Sequence, residues 1–162
     1  MTLTSAIDSI LSYWRATNVR VSPPASEENL LEVQRRWGGP WPADLVALYR
    51  AADGMLDEGG DDVMFTFWPL RRVSDALAEV DDSSRWTSVC GVPIGDFLID
   101  SHRYLVVLDG PKAGTVVLSL GSGIDQPAAS TLEAFLTILL HDPGSLSMFD
   151  RPGAKVPARH SK

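Results

Sequence analysis

Apolar residues at three- and four-residue spacing open the chain. Leu3, Ile7, Ile10, Leu11 and Trp14 fall on one face of a helix that Thr2 or Thr4 caps. After a loop from Val19 to Pro24, Ser26 is placed to cap a second helix. Glu27 and Glu28 suit its positive end, and Leu30, Leu31, Gln34 and Trp37 mark its inner side. Gly38-Gly39 stop it, Pro42 starts a third helix, and Leu45, Leu48, Tyr49 and Ala52 carry that helix's apolar face to Asp53-Gly54. The pattern then changes. Residues 63–68 (VMFTFW) have the β-branched and aromatic content of a strand ended by Pro69, and Ser74 is placed to cap a short helix through Val80. Asp81-Asp82-Ser83-Ser84 is a polar break.

Three apolar runs follow: Val92 into Ile99, Tyr104 to Leu108, and Thr115 to Leu120. The separator Asp109-Gly110-Pro111-Lys112-Ala113-Gly114 has hairpin-turn composition. Ser130 is placed to cap a last helix with Leu132, Phe135, Leu136 and Leu139 on its buried stripe, closed by Asp142-Pro143-Gly144. Helices, then strands in succession, then a helix describe an α+β domain, a mainly antiparallel sheet with N-terminal helices and a C-terminal helix packed on it. The expected domain spans residues 1–142. Residues 143–162, with Pro152, Gly153, Pro157 and little to bury, read as a flexible basic tail.

Composition narrows the partners. The chain has 162 residues, enough for one core without staples. Its single cysteine, Cys90, excludes an internal disulfide framework, so a reducing cytoplasm is the expected compartment. The net charge is −7. From Asp150 onward Arg151, Lys155, Arg159 and Lys162 oppose one Asp, so the remaining body is more acidic than the whole. Direct nucleic-acid binding needs clustered Lys and Arg and is not expected. No apolar run reaches the length of a membrane span, and residues 1–12 lack the form of a signal peptide.

Candidate chemistry is sparse. Gly121-Ser122-Gly123 lacks the spacing of a phosphate loop or a nucleophile elbow, so Ser122 reads as a turn residue. His102, His141 and His160 are far apart for a metal site, and Cys90 has only Arg85 as a nearby basic residue and reads as a small buried apolar group. No cofactor or metal is expected. The most suggestive polar feature is the carboxylate cluster Asp57, Glu58, Asp61 and Asp62, which is either a solvated acidic loop or a partner-binding one. Asp96 and Asp100, expected on the loop side of the later strands, join it as candidates. Trp86 is a candidate interface anchor, and Trp68 reads either as an anchor or as core beside Phe65 and Phe67.

The order of features also resembles a known family. Residues 26–31 (SEENLL), Trp37-Gly38-Gly39, Trp41-Pro42-Ala43-Asp44-Leu45, Tyr49 and Asp53-Gly54 are similar to the opening of the SUKH superfamily, which includes the Smi/Knr-type domains. Phe67-Trp68-Pro69-Leu70, Val92-Pro93-Ile94-Gly95-Asp96 and the helix at 132–136 are similar to its later elements, with Trp41 where Leu is common and Asp53 where Asn is common. The resemblance implies an α+β domain without catalytic residues. It further implies either an immunity protein that binds and neutralises a cognate bacterial toxin, often a nuclease, or a regulatory interaction domain. The acidic body suits a basic toxin domain as the protein partner. An enzyme using a carboxylate pair is the weakest reading, because no recognised motif brings such a pair together.

Overall fold

Capping side chains decide where the helices begin. The Thr2 hydroxyl accepts the Ser5 amide at 3.3 Å and starts α1 (Leu3–Ala16), and Ser26 accepts the Asn29 amide at 3.2 Å and starts α2 (Glu27–Arg36). Glu27 and Glu28 occupy the first turn of α2, and Arg35 and Arg36 its last, as the helix dipole favours. α3 (Ala43–Ala51) follows Pro42. The computed structural model describes residues 1–57, 59–79, 91–121 and 125–146. Glu58, Val80, the polar break at 81–84, Trp86, Cys90, Ser122 and the basic tail from residue 147 lie outside the described residues.

Two caps fall elsewhere than expected. α4 (Leu70–Ala76) starts directly after Pro69, where the Asp53 carboxylate accepts the Leu70 amide at 2.7 Å. Ser74 is inside that helix, buried, and accepts from the Arg36 guanidinium. Thr131 rather than Ser130 caps α5 (Leu132–His141), its hydroxyl accepting the Ala134 amide at 3.0 Å. On α2 the inner side is Leu30 and Val33, whereas Leu31 is 62% exposed. The packed body also runs past residue 142: Leu146 is buried and its carbonyl accepts the Tyr104 hydroxyl at 2.9 Å.

The strands are β1 (Phe65–Phe67), β2 (Gly91–Phe97), β3 (His102–Val107), β4 (Val116–Ser119) and β5 (Asp125–Ala129), paired antiparallel in chain order as one five-stranded sheet. The chain is thus α+β with an antiparallel sheet, as its pattern implies. β5 was not expected: it carries Pro127, which an edge strand tolerates because one side needs no donor. The outer side of β1 is covered by Met55, whose amide donates to the Phe67 carbonyl at 2.8 Å.

Strand alternation sends both aromatics of β1 to one face and Thr66 to the other. Phe65 and Phe67 meet the helical layer, where Trp14 of α1 stacks 6.2 and 5.9 Å from them, Tyr49 of α3 lies 5.3 Å from Phe67, and Phe135 of α5 lies 5.8 Å from Phe65. α1 also packs on α3 and α5, which closes this core. Each such buried side chain contributes about 1.5–3 kcal/mol of apolar transfer energy. Thr66 faces the other way, opposite Asp96 in the register, and Asp96 in turn pairs with Arg103 of β3. That polar row on the far face of the sheet is the base of the candidate site. Among the described residues, no helix is long and apolar enough to cross a membrane.

Gly54, at φ +76°, lets the chain pass from α3 to β1, and a Cβ there would lie 2.2 Å from the Pro69 nitrogen. Gly38, at φ +89°, has nothing within 4 Å of the same position. Gly54→Ala is therefore expected to cost about 4 kcal/mol or prevent folding, and Gly38→Ala only about 1 kcal/mol, the backbone term alone. Urea unfolding of both variants checks this; equal losses would contradict the packing at Gly54.

Candidate functional site

The site is built on Trp68, the residue after β1. Its indole is buried, and its Nε1–H donates to one oxygen of the Asp96 carboxylate. The guanidinium carbon of Arg72 from α4 lies 4.1 Å from the indole centroid and that of Arg103 lies 5.0 Å from it, both within cation–π range. These cations are also bonded to carboxylates. Arg103, whose side chain is 4% exposed, donates to Asp100 at 2.7 and 2.8 Å and to Glu79, while Arg72 donates to Glu79 at 2.7 Å and reaches Asp100 at 3.6 Å. A buried guanidinium is tolerable only when its donors are met in this way.

The second oxygen of Asp96 holds a turn. It accepts the Asp100 amide at 3.0 Å, and the Leu98 amide donates to the Met64 carbonyl at the same distance. Between these anchors Leu98, Ile99 and Asp100 have φ of +53°, +52° and +63°. Three consecutive left-handed residues without glycine cost on the order of 1–2 kcal/mol each, least for Asp, and a β-branched residue is the least suited to that region. The surrounding bonds enforce the path. One result is that Ile99 stands 72% exposed at the tip.

Trp68, Thr66, Asp96, Asp100, Arg72 and Ile99 line a cleft of about 440 Å³, completed by Met55, Leu56 and Asp57 from the loop after α3 and by Arg71 and Asp75 of α4. Of the candidate residues, the fold brings Asp57, Asp96 and Asp100 to this cleft. Asp57 is on the rim in an exposed ion pair with Arg20, and Asp100 is in the β2–β3 turn. Asp96 is not on a loop: it sits within β2, 7% exposed. Its neighbours in the sheet bury it, and both its oxygens are occupied by N–H donors.

Asp61 and Asp62 go elsewhere. Asp61 is 6% exposed and accepts the Trp14 indole N–H at 2.9 Å and the Phe65 and Val63 amides at 3.0 and 3.1 Å. It is thus neither a solvated residue nor one open to a partner, because it ties the loop to α1 and β1. Asp62 is exposed and accepts from the Tyr13 hydroxyl, which is pushed up to about 12 by that hydrogen bond, by burial and by the nearby carboxylates. Glu58 and Trp86 lie outside the described residues. Trp68 is buried, although on the opposite face from Phe65 and Phe67. The residues not anticipated are Arg72, Glu79 and Arg103. Their signal was the Asp96–Arg103 pairing, visible only once the turn at 98–101 is known.

Burial pushes the Asp96 and Asp61 carboxyls above the ordinary aspartate value, against the pull of the N–H donors. For Glu79 burial also pushes upward, but the hydrogen bonds from Arg72 and Arg103 outweigh it and hold its carboxyl low. Among the described residues, no group of three or more His, Cys, Asp or Glu is placed to hold a metal ion. No family model matches the chain, and none of the curated proteins matches it.

Opposite pH dependences follow from these shifts. The folded state binds the Asp96 proton more tightly than the unfolded chain, so this group's contribution to stability rises as pH falls from above its raised value toward 3.8. The Glu79 contribution is fully present above 4.5 and is lost as pH falls through its lowered value. Asp96→Asn turns an amide NH₂ toward an N–H donor and is expected to cost about 1–3 kcal/mol at neutral pH. In urea unfolding at successive pH values, wild type should gain on this variant as pH drops toward the ordinary aspartate range; parallel curves would contradict the assignment.

Proposed function

We propose that this chain is a non-catalytic protein-binding module of the toxin-immunity type, acting on a basic toxin domain. The observation that carries this reading is the closure of the cleft's ionisable groups on one another beneath an exposed rim. Asp96, Asp100 and Glu79 direct their lone pairs at the Trp68 indole, the Asp100 amide and two guanidiniums. Such an arrangement stiffens a surface, whereas acid–base turnover needs a carboxylate aimed at a substrate. A stiff surface loses little entropy on association, which favours tight inhibitory binding.

Charge supports the same reading. The net charge is −7, and an acidic inhibitor is steered toward a protein that must itself attract phosphate. The α+β order of elements is compatible with the SUKH-type resemblance, which implies this class of function.

Expression of the protein encoded by the neighbouring gene, alone and together with this chain, tests the proposal. The expected result is growth arrest by the neighbour, rescue by this chain, and co-purification of the two. A neighbour that is harmless, or that kills regardless of this chain, would overturn the immunity reading.

A further inference from the structure

Exposed apolar side chains gather at the cleft. Ile99 and Leu56, the latter 57% exposed, both line it, and the partly exposed Met64 and Leu98 are joined by a backbone hydrogen bond across the β1–β2 end. The other large apolar side chains exposed among the described residues, Met1 and Leu31, belong to the start of the chain and to α2. Met64, Leu98 and Ile99 have φ of +65°, +53° and +52°, so strained backbone is retained where apolar side chains meet water.

The charges round this patch cancel. Asp57 is paired with Arg20, Asp100 with Arg103 and Glu79 with Arg72, while the buried Asp96 has both oxygens on N–H donors. Arg71 and Asp75 are left, one of each sign. Both are exposed on α4 at the cleft wall, and their side chains have no hydrogen-bond or ion-pair partner among the described residues. The chain as a whole carries −7, so two copies repel at long range, and contact between them costs least where the charge is already neutralised.

Neutrality with opposite charges side by side is what a contact between identical patches requires. About a two-fold axis each patch meets itself, so a residue i that touches j of the second copy has its own j touched by i. Arg71 and Asp75 are four residues apart, about 6 Å along the helix axis. Two antiparallel copies of α4 therefore set Arg71 against Asp75 of the second copy, and Asp75 against Arg71 of that copy. Joining two sheets edge to edge is less favourable at either end, because Met55 covers β1 and Pro127 interrupts β5.

We propose that this patch is a two-fold interface between two copies of the chain. Ile99 and Leu56 are buried against the second copy near the axis, and Arg71 and Asp75 form two reciprocal ion pairs beside them. The inference goes beyond the binding-module reading and does not rest on it; a partner seated on the same rim displaces the second copy. Because the turn is already shaped, association orders little, and because the patch is modest the dissociation constant is expected at about 10–100 µM.

Sedimentation velocity of the full chain, from about 5 to 500 µM, tests the proposal. Wild type should pass from monomer to dimer across that range, and the control Leu31→Asn should match it. Asn is at ease in the left-handed region, so Ile99→Asn keeps the turn and removes only the apolar anchor. Ile99→Asn, Arg71→Asp and Asp75→Arg should each weaken self-association at least about tenfold, the last two by setting like charges opposite one another. Mixing the two charge-reversed variants is the sharper arm. One then presents two acids on α4 and the other two bases, so both ion pairs form again and a mixed dimer should appear although neither variant dimerises alone. A chain that stays monomeric to the top of the range would overturn the proposal. So would a dimer that survives Ile99→Asn or either charge reversal, or a mixture that stays monomeric where wild type dimerises. The outcome of the rescue experiment bears on the immunity reading alone; sedimentation decides the interface.

Discussion

Burial of the Asp96 carboxylate is the constraint on which the rest of the site depends. An ionised group removed from water is tolerable only if each oxygen is met by a donor, and here the donors are the Trp68 indole and the Asp100 amide. The first bond turns the indole so that Arg72 and Arg103 can lie against it; the second pulls the β2–β3 connection into its left-handed path. The register Thr66↔Asp96↔Arg103 then places the buried guanidinium where Asp100 and Glu79 reach it. Asp61 plays the equivalent part on the helical side, collecting the Trp14 indole and two backbone amides. Two aspartates of an acidic-looking sequence thus act as internal fasteners.

The sequence was most informative where one local interaction decides the structure. Caps at Thr2 and Ser26, the glycines after α2 and α3, and the periodic faces of α1, α3 and α5 each follow from a short stretch of chain. It was least informative where a tertiary contact overrides a local preference. Ser74 looks like a cap, yet Pro69 and the Asp53 carboxylate start α4 earlier and leave Ser74 to Arg36. Leu31 looks like a core residue of α2, but the packing selects Val33. β5 carries a proline and mixed burial, so only its pairing with β4 makes it a strand. The turn at Leu98–Asp100 contains neither Gly nor Asn, and nothing local announces a left-handed path. The candidate acids were legible as residues but not as roles: burial divides Asp61 and Asp96 from Asp57, Asp62 and Asp100.

These features support the binding-module reading proposed above. The face of the sheet opposite the aromatic core is occupied by a neutralising network of Arg and acid, which fixes the walls of the cleft. Apolar side chains are displayed at its rim by a backbone that pays conformational energy to hold them there. Stiffness below and apolar exposure above suit a protein–protein contact, since a preformed surface loses little entropy on binding and apolar anchors contribute most once water is excluded round them.

If Asp96 holds the exposed turn rigid, native-state hydrogen exchange read amide by amide will show it. Solvent exposure alone would let the turn amides exchange freely. The Asp100 and Leu98 amides, bonded at 3.0 Å to the Asp96 carboxylate and the Met64 carbonyl, should be protected to a degree comparable with β2 and β3. Exchange of these two amides at the rate of an unstructured peptide, while the strand amides stay protected, would contradict it.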